Sequence, residues 1–575
     1  MIAKHDNKNA DKGMKLSWYE AAKGVAVVAG VFSVIIFGLL VLNYLQKELL
    51  DPVRAERLEN LKVKLLEQPK NEALITKIRE LDLQLRKDKI RRLQFSQRGG
   101  LLLLGAIAVF LVGIKSAKTF KEQLPHPPPA ITDQQARQIR QVKLARWVTV
   151  ASLAILVLTV LFFINTPEID FTKADSSYPS EEEIAKNWAS FRGPQGNGIS
   201  AYTNTPTKWD GKSGHAIIWK TSVPLPGHNS PVIWNDHVFL TGANKQKNQV
   251  YCFDAVSGEL LWQADLKVPS AVAGEALDMY EDTGYAAPTV ATDGSRVCAI
   301  FPTGDVGCFD FEGKKLWARN LGTPDSAYGY ASSLAMYQNL LLIQYDQATA
   351  DDNKSRIMAL DTFSGMTVWE TNRPVPGSWT SPIVVKITDQ NQLITSADPW
   401  VIAYNPSNGA ELWRVDCLGT DVAPSPIYAG GLIFGIHPYT SLVAIKPTGR
   451  GDVTQTHIAW KATDNIPDIC SPVSNGKLIF LLETYGKLTC YKVSDGTKLW
   501  EKDLETSFTA SPSLADNRLY MLSEKGVMFI ATVGDEYTEL VKSSLGEKCY
   551  ASPAFADGRI YIRGVENLYC IGDGN

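Results

Sequence analysis

The side chains able to do chemistry in this 575-residue chain are eight cysteines, seven histidines and a set of aromatic residues recurring at one repeat position. The histidines are scattered without ligand spacing, so no metal site is expected. The chain contains no His-Glu-x-x-His, Gly-x-Ser-x-Gly, phosphate loop or Cys-x-x-Cys-His haem site. Gly193-Pro-Gln-Gly196-Asn-Gly198 is glycine-rich but lacks the preceding strand and following helix of a nucleotide site. No residue is assigned a catalytic role. Cys252, Cys308, Cys490 and Cys570 share a repeat position that elsewhere holds Ala359, Ala403 and Ala444, so they are expected to pack as small apolar side chains. Lying in different repeats, they are not expected to pair with one another. Cys298, Cys417, Cys470 and Cys549 stay open.

The elements that position these side chains are repeats. The stretch from Ala359 to Trp369 has a small residue, an acidic or polar residue two places on, a glycine and a closing tryptophan, and the pattern recurs along the C-terminal two thirds of the chain. Trp219, Trp262, Trp317, Trp369, Trp413, Trp460 and Trp500 fall 40 to 55 residues apart, the length of a four-stranded propeller blade. A second marker precedes each unit: Ser230-Pro231, Ala287-Pro288, Ser332-Ser333, Ser381-Pro382, Ser425-Pro426, Ser471-Pro472, Ser511-Pro512 and Ser552-Pro553. Eight markers predict an all-β, eight-bladed β-propeller. The last unit stops before a tryptophan, and Trp219 arrives before any marker, so the N-terminal strand should complete the eighth blade and remove the open edge. Each tryptophan is expected to pack between blades.

Two places before each marker, near the axis at one end of the ring, the sequence puts His228, Tyr285, Tyr330, Trp379, Ala423, Ile469, Thr509 and Tyr550. Tyr550, His228, Tyr285, Tyr330 and Trp379 form one arc with hydrogen-bonding tips. Either the arc fills a wide channel, or it is the funnel-mouth site of a peptide segment or small ligand.

At these motifs the sequence resembles the pyrroloquinoline quinone (PQQ) repeat family, over about residues 187 to 575. The family includes quinone-dependent dehydrogenases and cofactor-free scaffolds of the BamB type. The resemblance implies the propeller fold and leaves two functions. The favoured one is a membrane-anchored scaffold or binding module with a protein partner and no cofactor. The alternative is a PQQ-dependent periplasmic alcohol or sugar dehydrogenase using calcium and passing electrons to the membrane. The family's adjacent Cys-Cys pair, which forms a disulfide against the quinone, is absent here, which favours the scaffold.

Ahead of the propeller, three apolar runs are expected to span a membrane. The chain then divides into a cytoplasmic leader (1–17), a first span (18–45), a charged helical hairpin (46–98), a second span (99–116), a basic Pro-containing loop (117–146), a third span (147–165), a polar linker (166–186) and the propeller (187–575). Arg137, Arg140, Lys143 and Arg146 precede the third span, and the acidic Glu168, Asp170 and Asp175 follow it. The positive-inside rule then puts the propeller on the periplasmic side of a bacterial inner membrane, against which the basic 46–98 hairpin conflicts. That hairpin is either a docking element for a partner or two solvated helix extensions. A net charge of −3 gives no reason to expect nucleic acid.

Overall fold

The computed structural model describes residues 19–43, 95–96, 99–100, 102–118, 179–266, 268, 280 and 283–572, in two compact units, Met1–Asp175 and Ser176–Asn575. In the second unit eight antiparallel sheets form an eight-bladed propeller. Blade 1 runs from Val232–Trp234 through His237–Ala243 and Asn248–Asp254 to Leu260–Asp265, and blades 2 to 7 repeat that order. Blade 8 takes Ala554–Ala556, Arg559–Arg563 and Asn567–Ile571 from the C-terminus and its outermost strand, Ile217–Ser222, from the start of the domain. The expected closure is therefore present.

The repeat chemistry explains the blade. A small residue sits directly across the outer strand pair from each tryptophan: Cys252 opposite Trp262, Ala359 opposite Trp369, Cys490 opposite Trp500 and Cys570 opposite Trp219. The acidic residue two places on caps the turn; Asp254 Oδ1, for example, accepts from the amides of Val256 and Ser257 at 3.0 and 2.6 Å. The glycine is required twice over at Gly258, whose φ is +75° and whose absent Cβ would lie 2.5 Å from the Trp219 ring of the preceding blade. Each indole also donates across the seam, as from Trp262 Nε1 to Phe311 O at 2.7 Å and from Trp317 Nε1 to Thr362 O at 2.8 Å. Trp413 departs from this pattern. Blade 5 carries an insertion that adds Gly451–Asp452 parallel to the outer strand of blade 4, and Trp413 Nε1 turns to Gln392 Oε1 of its own blade. Blade 7 has Val541 at the tryptophan position, and Trp209 is buried in the same cluster.

The markers build an inner ring. Backbone amides donate to the next blade's hydroxyl in series: Ser230 to Thr289, Thr289 to Ser333, Ser333 to Ser381, Ser381 to Ser425, Ser425 to Ser471, Ser471 to Ser511 and Ser511 to Ser552, all between 2.9 and 3.1 Å. The hydroxyl is what the ring selects, since it satisfies a buried amide; the proline is incidental. Two blades thereby shift register against the textual markers. Blade 2 uses Thr289, not Ala287, and blade 3 uses Ser333, not Ser332.

Cysteine pairing also departs from expectation. Cys298 lies opposite Cys308 across adjacent strands of blade 2, with Cα atoms 4.0 Å apart, and the two form a disulfide. Cys308 thus pairs within its own blade, with a residue that the repeat alignment did not cover. The remaining six cysteines are buried thiols.

In the first unit, Tyr19–Asn43 is one helix long and apolar enough to cross a membrane, and among the described residues no other qualifies. The second expected span is a helix over 102–118, too short to count as one, so three spans are not what the structure describes. The third, 147–165, lies outside the described residues, as do the 117–146 loop beyond residue 118 and nearly all of the 46–98 hairpin. The two helices run antiparallel, with Gly30 against Phe110, Gly113 against Ala26 and Asn43 Nδ2 donating to Ser96 Oγ at 2.9 Å. Ala26, Ala29 and Ala106 are buried, whereas Val31, Val34, Phe37, Leu104 and Val112 are exposed.

Candidate functional site at the axial mouth

The innermost strand of each blade begins near the axis, so the residue two places before each ring hydroxyl faces the channel. With the register above, these residues are His228, Ala287, Ala331, Trp379, Ala423, Ile469, Thr509 and Tyr550. All eight line one cavity of about 560 Å³, joined by Tyr328, Asp421, Tyr439 and Asp468 from the connecting loops. Of the arc expected from sequence, His228, Trp379 and Tyr550 meet at this mouth, and Tyr285 and Tyr330 do not. Tyr285 packs half-buried against the blade 1–2 core. Tyr330 is buried with its ring stacked on Tyr345 at 5.2 Å, and burial pushes its phenol well above the usual tyrosine range. The shifted hydroxyls account for both, since the true positions are Ala287 and Ala331.

Ring contacts hold the mouth together. His228 and Tyr550 lie 5.1 Å apart between centroids, across the seam of blades 8 and 1. Tyr328 meets Trp379 edge-on at 4.9 Å, a favoured aromatic geometry. Trp379 is further fixed by its own neighbours. Ser378 Oγ donates to Asp346 Oδ2 at 2.7 Å, and Gln344 Nε2 donates to Ser378 Oγ and Thr380 Oγ1 at 3.0 and 3.1 Å. Asp346 in turn pairs with Arg373, both side chains being fully buried, and Arg373 Nη1 donates to Thr395 Oγ1 at 2.6 Å and Tyr404 Oη at 3.1 Å. Burial alone would lower the Arg373 pKa, but Asp346 and Tyr404 more than offset it, so the guanidinium stays charged. The Trp379 backbone amide donates to Val422 O at 3.0 Å in the next blade.

The loops of blades 4 to 6 supply what the repeat pattern does not announce. Tyr439 Oη donates to Asp468 Oδ2 at 2.8 Å, and Thr484 Oγ1 donates to Asp468 Oδ1 at 2.5 Å. The hydrogen bond to Asp468, with some burial, pushes the Tyr439 phenol up to about 12. Asp421 and Tyr439 both adopt left-handed backbone, with φ of +59° and +58°, which is uncommon for non-glycine residues and unfavourable for a bulky one.

The other end of the channel is crossed by the lead-in. Trp188 exchanges backbone hydrogen bonds with Ile233, Thr292 N donates to Ala189 O, and Gly198 O accepts from Leu514 N, so the segment runs from blades 1 and 2 to blade 7 beyond the hydroxyl ring. Arg192, buried at the centre of this segment, donates to Pro472 O at 2.6 Å. A second cavity of about 380 Å³ lies between the lead-in and blades 2 to 4.

A quinone cofactor of the kind PQQ-repeat enzymes use carries three carboxylates. Among the described residues the mouth offers such a group no lysine or arginine, and its two carboxylates repel it. The Cys298–Cys308 disulfide is buried between middle strands of blade 2 and does not line the mouth. Among the described residues no group of three or more His, Cys, Asp or Glu is arranged to hold a metal ion. The mouth therefore does not fit this cofactor.

Comparison with known proteins gives one family match, to PQQ repeats described as outer membrane protein assembly factor BamB, over residues 193–327, 353–448 and 440–535, more than half of the chain. No curated protein matches. Among solved structures, quinohemoprotein alcohol dehydrogenase ADHIIG from Pseudomonas putida HK5 is 13% identical, covering 69% of this chain and 82% of its own, with a TM-score of 0.50. BamB from Moraxella catarrhalis is 14% identical over 62% of this chain and 98% of its own, with a TM-score of 0.45. The computationally designed Ika8 protein is 11% identical over 61% and 98%, also at 0.45. At such identities the likeness concerns the fold alone.

Proposed function

This chain belongs to the PQQ-repeat family described as outer membrane protein assembly factor BamB, and from that premise we propose that it is a membrane-anchored binding module whose axial mouth receives a segment of a partner protein. The observation that carries this reading is the mouth itself. It is a concave, ring-lined opening with a Trp379 held by its neighbours, and the lead-in crosses the opposite end. Sites that bind without chemistry need rigid aromatic anchors more than reactive groups.

The anchor is the Tyr19–Asn43 helix, with the 102–118 helix packed against it. Small residues face inward and large apolar ones outward, the reverse of a water-soluble hairpin and the usual arrangement of packed helices in lipid. The proposed location is the bacterial inner membrane with the propeller on the periplasmic side, supported by the basic Arg137, Arg140, Lys143 and Arg146 ahead of the 147–165 apolar run and by a disulfide in blade 2.

Photocrosslinking side chains placed at Ala331 and Ala423, on the blades either side of Trp379, test the reading in intact membranes. A discrete partner adduct is expected at both positions and should be lost when Tyr328→Ala and Trp379→Ala are combined in a folded ring. Adducts that persist in that variant, or form only from the outer blade faces, overturn it. A reporter fused at Asn575 should behave as exported; activity only in the cytoplasm overturns the proposed side.

A further inference from the structure

We propose that the group received at the mouth is a cation, the ammonium of a lysine or the guanidinium of an arginine in an extended segment of the partner. The inference rests on the reading of the mouth as the binding site and deepens it. Its lining pairs ring faces with carboxylates. Tyr328, Trp379, Tyr439 and Tyr550 present aromatic surface, Asp421 and Asp468 present negative charge, and among the described residues no lysine or arginine lines the cavity. Ring faces and carboxylates both attract positive charge, the first through the quadrupole and the second directly. A concave opening lined by charge of one sign concentrates that attraction.

The two carboxylates are differently prepared. Asp468 is held by two hydroxyl donors, which fix its orientation while leaving lone pairs free. Asp421 accepts no hydrogen bond and makes no ion pair among the described residues, yet its backbone is kept at φ +59°, beside Val422, whose carbonyl binds the Trp379 amide. An anionic guest would meet repulsion from both. A neutral apolar guest would strip water from both without repaying it. A cation satisfies them, and a long, thin side chain such as lysine or arginine suits entry along the axis with its stem against the rings.

The test is calorimetric titration of the full-length protein in detergent with tri-lysine, tri-alanine and tri-glutamate. Tri-lysine should bind and weaken as salt rises, and the other two should not. Combining Asp421→Asn with Asp468→Asn should weaken tri-lysine at least about tenfold, the order expected when close charges are removed; asparagine tolerates the left-handed turn at 421 and keeps an acceptor at 468. As a second variant, Ala423→Lys puts a tethered ammonium into the cavity and should block tri-lysine. No tri-lysine binding, equal binding of tri-glutamate, or tri-lysine binding unchanged in both variants overturns the inference. Crosslinking at Ala331 separates the two claims. Adducts that survive the double Asp variant but vanish with Tyr328→Ala and Trp379→Ala leave the binding-module reading standing and sink the cation. Adducts indifferent to every mouth variant sink the binding-module reading itself.

Discussion

Trp219 Nε1 donates to Ala255 O at 3.1 Å, joining a strand from the beginning of the propeller to the blade that follows the last one. The same carbonyl accepts from Tyr561 Oη at 3.2 Å and Arg559 Nη1 at 3.3 Å, and buried Arg563 donates to Thr241 O and Leu225 O of blade 1. The seam needs these bonds, because among the described residues the step from Ser552 to Ser230 is not made by the amide-to-hydroxyl bond that links every other pair of blades.

Trp219→Ala should therefore lower stability by about 3 to 5 kcal/mol, the cost of truncating a large buried aromatic, and deleting 181–220 should open the ring. Urea unfolding followed by intrinsic fluorescence measures both. A truncated protein that unfolds at the wild-type midpoint would show that the seam is held elsewhere.

The hydroxyl ring discriminates two adjacent serines. Ser333→Ala leaves the buried Thr289 amide without its acceptor and should cost about 1 to 3 kcal/mol, whereas Ser332→Ala, which removes no such bond, should cost less than about 1 kcal/mol. Reversed costs would restore the register of the textual markers and return Tyr330 to the mouth.

The pair beneath Trp379 is expected to be costly to break and irrelevant to charge at the surface. Asp346→Asn leaves the Arg373 guanidinium buried without its partner, a loss of about 3 to 5 kcal/mol, and should loosen Trp379. Acrylamide quenching of a variant in which Trp379 is compared with Trp379→Phe would read that loosening; quenching unchanged by Asp346→Asn separates the pair from the mouth.

Glu547 gives the fold a pH dependence. Its Oε1 accepts from the amides of Glu566 and Asn567, and its Oε2 from Asn567 Nδ2 and Tyr569 Oη, between 2.5 and 3.0 Å. Partial burial would raise its pKa, but these four donors outweigh it and hold the carboxyl below its ordinary 4.5. With the folded value depressed, the stabilisation is fully present above about pH 4.5 and is lost as pH falls through the lower folded value. Glu547→Gln should thus be less stable than the parent at neutral pH, and the gap should close as pH drops below 4.5. A gap independent of pH would mean the loss is one of packing.

Mass spectrometry after alkylation of the unfolded, unreduced protein should find six cysteines modified and the Cys298–Cys308 peptide unmodified until reduction. Eight modified cysteines would refute the pairing.

What the sequence determined by itself is the periodic part of the molecule. The tryptophan, glycine, acidic residue and small residue of each repeat solve the same packing problem in every blade, so their spacing alone carries the blade number and the closure by Trp219. Even the departure at Trp413 is legible, since Gly449 and Trp460 stand further apart than their counterparts. The tertiary structure decided what repetition does not constrain. Which hydroxyl joins the inner ring depends on the neighbouring blade's amide, which moved the mouth from Tyr285 and Tyr330 to Ala287 and Ala331. Cys298 met Cys308 because strand register, not repeat position, sets which side chains face each other. Asp421, Tyr439 and Asp468 lie on loops of adjacent blades outside the strand repeat, and only the stacking of those blades brings them to one mouth.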